Sequence, residues 1–141
     1  GLGKSWLDTD TDRFSTSLAV TYTFQRDVVE NPFLETDFAG ARLGWDYWRK
    51  ISGNSEFESI FVADFNLQDT QDRRIDTTQS LTVDINDAIA LKPSLQLIWR
   101  DLPSLAQIPL LDGDRNPTGE TVTAQLDKLD TFFRLALVLT F

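Results

Sequence analysis

The stretch Leu129-Asp130-Thr131-Phe132-Phe133-Arg134-Leu135-Ala136-Leu137-Val138-Leu139-Thr140-Phe141 ends the chain on an aromatic residue. Counting back, Phe141, Leu139, Leu137, Leu135 and Phe133 are large and apolar, and Thr140, Val138, Ala136, Arg134 and Phe132 stand between them. Successive strand side chains point to opposite faces, so the stretch predicts a strand with one unbroken apolar face and a second face that carries an arginine. Two settings suit such a strand: a soluble sheet with its core on one side, or a membrane barrel with lipid outside and a polar lumen inside.

The same period of two recurs upstream. Phe14, Leu18, Val20, Tyr22 and Phe24 share a face against Ser15, Ser17, Ala19, Thr21 and Thr23. Ala39, Ala41, Leu43, Trp45 and Tyr47 alternate with Phe38, Gly40, Arg42, Gly44, Asp46 and Trp48. Phe57, Ser59, Phe61, Ala63, Phe65 and Leu67 oppose Glu56, Glu58, Ile60, Val62, Asp64 and Asn66. Ile75, Thr77, Leu81, Val83 and Ile85 oppose Asp76, Thr78, Ser80, Thr82 and Asp84, with Gln79 a blemish on the apolar side. Ile89, Leu91, Leu95, Leu97 and Trp99 oppose Lys92, Ser94, Gln96 and Arg100. Pro93 has no amide to donate to a ladder, which predicts a bulge or local break. With a short strand at 1–7, seven strands are expected, at 1–7, 14–25, 36–51, 55–68, 75–85, 88–100 and 129–141, with 101–128 irregular.

Length, charge and composition narrow the setting. A chain of 141 residues makes one domain. A net charge of -9 and a pI near 4.3 speak against nucleic acid as a partner, because neutralising phosphates takes clustered Lys and Arg. There is no cysteine and no histidine, which removes disulfides, thiolate metal sites and the commonest general base. No run of 18 or more apolar residues is present, so no transmembrane helix is expected.

Three observations favour lipid over water. The carboxylates Glu56, Glu58 and Asp64 would each cost several kcal/mol unpaired in a dry core, whereas a wet lumen holding arginines accommodates them. Connections alternate between tight ones at Ser52-Gly53-Asn54 and Asn86-Asp87 and longer ones at 26–35, 69–73 and 101–128, the asymmetry of outer-membrane barrels. Aromatics on the apolar faces form two expected girdles: Phe14, Trp45, Tyr47, Phe57 and Phe141 by the tight turns, and Tyr22, Phe24, Trp99 and Phe133 by the longer loops. The strands are also longer than the 5 to 6 residues usual in globular sheets.

Gly1-Leu2-Gly3-Lys4, Trp6-Leu7-Asp8-Thr9 up to Phe14, Leu43-Gly44-Trp45-Asp46-Tyr47, Ala90-Leu91-Lys92-Pro93-Ser94-Leu95 and the final Phe141 resemble the salt-induced outer-membrane protein family, also known as domain of unknown function 481. The resemblance spans essentially the whole chain and rests on spaced motifs. It implies an outer-membrane β-barrel of Gram-negative bacteria with no established activity. The terminal alternation of Phe133, Leu135, Leu137, Leu139 and Phe141 also resembles the signal read by the outer-membrane assembly machinery.

The expectation is therefore an all-β, antiparallel up-and-down transmembrane barrel in the bacterial outer membrane, a single domain over 1–141. If Phe141 ends at the tight-turn side, seven strands put Gly1 on the opposite rim. A single-chain barrel with an even strand number would then need at least one strand upstream, making this the carboxy-terminal part of a larger barrel.

Candidate site residues follow from the faces. A lumen charge network is expected from Arg42, Asp46, Glu56, Glu58, Asp64, Asp76, Asp84, Lys92, Arg100 and Arg134. Glu56, Glu58 and Asp64 are read as lumen lining, not as the paired acids of a glycosidase, and the chain as non-enzymatic. Asp8, Asp10 and Asp12, and Asp112, Asp114 and Asn116, resemble the openings of calcium loops. Arg13 and Pro117 occupy the glycine position of that motif, so solvated loop acids are expected, with Asp112, Asp114 and Asn116 the better metal candidate. Gly40 and Gly44 leave room for a large neighbour such as Trp48. No cofactor is expected; lipid and the assembly machinery are the expected partners. The alternatives are a soluble antiparallel barrel enclosing an apolar ligand, and an outer-membrane hydrolase whose catalytic groups lie upstream.

Overall fold

Period-two alternation gives strands throughout. The computed structural model describes residues 1–24, 37–102, 105–113 and 115–139, and among them there are nine strands and no helix. They are β1 (Leu2–Asp8), β2 (Asp12–Phe24), β3 (Asp37–Ser52), β4 (Ser55–Asn66), β5 (Arg73–Asn86), β6 (Ile89–Arg100), β7 (Leu105–Leu111), β8 (Pro117–Gln125) and β9 (Leu129–Leu139). The loop expected at 26–35 lies outside the described residues, as do Asp114, Thr140 and Phe141.

β1 to β6 and β9 make one seven-stranded sheet in the order β1-β2-β3-β4-β5-β6-β9, antiparallel at every step. Among the described residues β7 and β8 pair only with each other. The irregular segment expected at 101–128 is thus corrected to a hairpin. Its prolines and glycine read as breakers in the sequence, yet each strand of a two-stranded ribbon is an edge, where a proline need not donate. Gly119 takes a φ of 86° within β8, which costs a glycine little.

Pro93 causes no register shift. It pairs with Leu135, and β5 and β6 keep one register from Ser80↔Ser94 to Val83↔Leu91. In the seven-stranded sheet the irregularities lie elsewhere, between Ser5 and Leu7, between Lys50 and Ser52, and between Asp84 and Asn86, all toward the tight-turn rim, and the β7–β8 hairpin has its own between Pro109 and Leu111.

The register matches like with like. One cross-strand row runs Phe14, Tyr47, Ser59, Gln79, Leu95, Phe133, and its neighbour runs Ser15, Asp46, Ile60, Thr78, Gln96, Phe132. The first row leaves β2 at its third residue, beside the tight turn at Asp8–Asp12, and reaches β9 at Phe133, near mid-strand. The strands are therefore staggered in one sense across the sheet.

A single sheet has no second layer to pack on. Among the described residues Phe38 (5% exposed) and Ala63 (2%) are the buried apolar side chains. β1 and β9 are the two edges, and β9 is exposed along its whole length.

Candidate functional site

The ionic face carries the chemistry of this chain. On β3 and β4, Arg42 and Asp64 are direct cross-strand partners, and the guanidinium donates to both carboxylate oxygens at 2.7 and 3.0 Å. This bidentate fork is the strongest geometry for such a pair. Lys92 on β6 reaches over β5 to Glu58 on β4, with Nζ 3.0 Å from Oε2. The tie passes over Ser80, which pairs with both Glu58 and Ser94 and is buried beneath it. Gln96 donates to both oxygens of Asp76 at 3.0 and 2.9 Å and accepts from Arg134 at 3.2 Å, so Arg134 on β9 is linked to Asp76 on β5 through an amide. Glu56 accepts from the Trp48 indole at 3.1 Å, and the Arg13 guanidinium lies 4.7 Å from the Trp48 ring centre.

Of the ten residues expected in this network, Arg42, Glu56, Glu58, Asp64, Asp76, Lys92 and Arg134 are engaged in these contacts. Asp46 and Asp84 form no ion pair among the described residues. Arg100 ends β6, where its amide donates to the Lys128 carbonyl at 2.8 Å.

Sequence reading missed a second cluster at the longer-loop rim. Asp72, nearly buried, accepts from Arg74 through two contacts of 3.2 Å and from Asn66 at 3.4 Å. The Arg74 guanidinium lies 5.5 Å from the Phe38 ring centre. Phe38, Arg42, Asp64, Asn66, Asp72 and Arg74 line a cavity of about 110 Å³, room for a few waters. At the same rim Arg73 and Lys128 both pair with Asp101. Arg73 first, then Lys128, hold the Asp101 carboxyl below its ordinary range.

The glycines serve this face differently from the expectation. A Cβ on Gly40 would stand 2.8 Å from the Thr21 hydroxyl and 2.9 Å from the Phe65 carbonyl, and one on Gly44 2.9 Å from the Ser17 hydroxyl. The space they leave is thus taken by Thr21 and Ser17, not by Trp48.

The opposite face is apolar and open. Phe14, Tyr47 and Phe57 form an edge-to-face chain near the tight turns, with ring centres 6.2 and 6.4 Å apart. Tyr22 and Phe24 form another edge contact at 4.8 Å near the longer loops. Trp99 and Phe133 lie toward the longer-loop ends of β6 and β9. Trp45 sits near the middle of β3, stacked on Phe61 at 3.9 Å, and so stands between the two groups. Leu135, Leu137 and Leu139 are 62, 60 and 52% exposed.

The metal candidate at the β7–β8 turn is occupied with its own backbone. Asp112 Oδ1 accepts from the Asn116 amide at 2.9 Å, and the Asp112 and Asn116 main chains are also bonded at 2.9 Å. Among the described residues no three potential ligands of the His, Cys, Asp or Glu type gather into a metal site.

A family model described as a protein of unknown function, DUF481, matches residues 1–106. No curated protein and no solved structure matches the chain.

Proposed function

The chain belongs to the DUF481 family of proteins of unknown function, and from that premise we propose that its sheet is the wall of an outer-membrane β-barrel in Gram-negative bacteria. The apolar face meets lipid and the ionic face lines a polar interior. The role is that of an envelope structural protein or a narrow pore, without catalysis by these residues. The observation that carries this reading is the inversion of a soluble protein's pattern. Val20, Tyr22, Phe24, Phe133, Leu135 and Leu137 are all more than half exposed, while on the ionic face of β2 Ala19, Thr21 and Thr23 are the more sheltered.

Energetics supports the lipid side. Each large apolar side chain removed from water gains about 1.5–3 kcal/mol, and contiguous apolar patches of this extent mark interaction surfaces. β2 to β6 have 12 to 16 residues, against the 9 to 11 or so that a tilted span needs. The one-directional stagger is what strand tilt in a closed barrel requires. Carboxylates such as Glu58, Asp64 and Asp76 are paired on the face that would meet water-filled space. The last strand, with Phe133, Leu135, Leu137, Leu139 and Phe141, serves as the signal to the assembly machinery.

Expression with a secretion signal and fractionation of the envelope tests this. Retention in the outer membrane after urea and alkaline washes, release by detergent, and a mobility shift on heating in gels are expected. Recovery from the aqueous fraction would overturn the reading and return the soluble barrel with an apolar ligand. Conductance in planar bilayers then separates a pore from a closed structural barrel.

A further inference from the structure

The apolar face of the sheet is interrupted near its centre. Gln79 stands at the middle of β5, on the side that carries Ile75, Leu81 and Val83, and its direct partners are Ser59 on β4 and Leu95 on β6. Beside it lie Thr77, on the same strand and face, and the buried Ser59, whose hydroxyl accepts from the Trp45 indole at 3.4 Å. Hydrogen bonding fixes the Gln79 amide. Thr77 Oγ1 donates its single proton to the Ile60 carbonyl at 3.1 Å, so it can only accept from Gln79, whose Nε2 lies 2.9 Å away. The nitrogen is thus turned toward Thr77. Among the described residues the Gln79 carbonyl oxygen then accepts from no donor, and Nε2 keeps a second N–H.

We propose that this patch is the contact site for a second copy of the chain within the outer membrane, the two copies meeting at Gln79 about a two-fold axis along the membrane normal. This deepens the outer-membrane reading and rests on it. On that reading mid-strand is mid-bilayer, beyond the reach of water and lipid headgroups, and an amide oxygen without a donor there costs free energy. Polar side chains at such depth meet other protein segments, and a small neighbour such as Ser59 permits close approach. The amide selects the partner. A two-fold contact sets one patch against itself, so a group on the axis must be donor and acceptor at once. Gln79 offers one N–H and one oxygen, and two copies exchange a reciprocal pair of N–H···O bonds that satisfies both. A lipid chain offers neither.

A chain without cysteine makes the test clean. In outer membranes carrying the full protein, Leu81→Cys, two residues from Gln79 on the same face, should yield a cross-linked dimer with a short bis-maleimide. Val20→Cys on β2 and Leu135→Cys on β9, on the same face but on distant strands, should yield none. Adding Gln79→Leu to Leu81→Cys should weaken association about tenfold, since two side-chain hydrogen bonds in the bilayer are lost together, while membrane retention and heat-modifiable mobility stay unchanged. Monomer alone, equal dimer from all three cysteines, cross-links to a different protein, or a dimer undiminished by Gln79→Leu would overturn this inference. Such results in membrane-retained protein would leave the outer-membrane reading standing, whereas loss of the protein to the aqueous fraction overturns that reading itself.

Discussion

Lys92 on β6 and Glu58 on β4 are joined at 3.0 Å across an intervening strand. Adjacent strands lie about 4.8 Å apart, so the two side chains span roughly twice that spacing over the small, buried Ser80. The contact ties three strands together, and it depends on a small residue at position 80.

Lys92→Met should therefore lower stability by no more than about 1 kcal/mol, since both partners are about a third exposed and partly solvated pairs contribute little. The double variant Lys92→Met/Glu58→Gln is expected to lose no more than the single one, because no carboxylate is left unpaired. Denaturant titration followed by heat-modifiable gel mobility measures both. A double variant much weaker than the sum of the singles would contradict the pairing.

Ser80→Leu should do more damage than the removal of the salt bridge. It forces a branched side chain under the Lys92 stem, and overpacking of this kind typically costs about 1–3 kcal/mol. A midpoint of unfolding unchanged from wild type would show that the tie does not pass over Ser80.

How much of this was legible in the sequence follows from what period two can carry. Phe133, Leu135, Leu137 and Leu139 alternate with Phe132, Arg134, Ala136 and Val138, so the strand and its unbroken apolar face could be read residue by residue. The Lys92–Glu58 tie could not, because contact between strands two apart depends on the register of both ladders. Asp72 and Arg74 were hidden for another reason: they lie in or beside a short polar stretch whose composition suits an open loop. The β7–β8 hairpin was masked by Pro109 and Pro117, since a proline forbidden in a central strand is tolerated in a ribbon with two edges.

Gly40→Ala is expected to destabilise the sheet by about 1–3 kcal/mol, because the new methyl meets the Phe65 carbonyl, a backbone atom that cannot swing away. Gly53→Ala, with nothing within 4 Å, should be close to neutral. Thermal melts of the two variants in the same detergent provide the comparison, and equal losses would contradict the close approach at Gly40.

Acid should release the Asp101 tie. Its carboxyl titrates below the ordinary value because Arg73 and then Lys128 favour the charged form. The sign follows from linkage: a lowered folded-state pKa adds stability that is fully present above the ordinary value, about 3.9, and is lost as pH falls through the lower one. The difference in melting temperature between wild type and Asp101→Asn should be constant from pH 7 to about 5 and shrink toward zero on further acidification. A difference that grows below pH 4 would contradict it.

Among the described residues the hairpin of β7 and β8 makes no contact with the seven-stranded sheet. Replacing 105–125 by a short glycine-serine linker should leave membrane assembly and heat-modifiable mobility unchanged, as expected for a projecting element. Failure to assemble would show that the hairpin is needed by the sheet.

Charge placement separates the two faces. Leu137→Arg on the apolar face should impair assembly by the equivalent of about 2–4 kcal/mol, the cost of a basic residue at mid-bilayer. Val138→Arg, one residue on and beside Ala90 on the ionic face, should be tolerated.

The most direct measurement is a spin-label scan of β9, one cysteine at a time from 130 to 139, in lipid vesicles, reading collisions with oxygen and with a water-soluble relaxation agent. Labels at 133, 135, 137 and 139 should meet oxygen dissolved in hydrocarbon, and labels at 132, 134, 136 and 138 should meet the aqueous agent, alternating at every residue. Apolar positions open to the aqueous agent, or shielded from both, would contradict the assignment of that face to lipid.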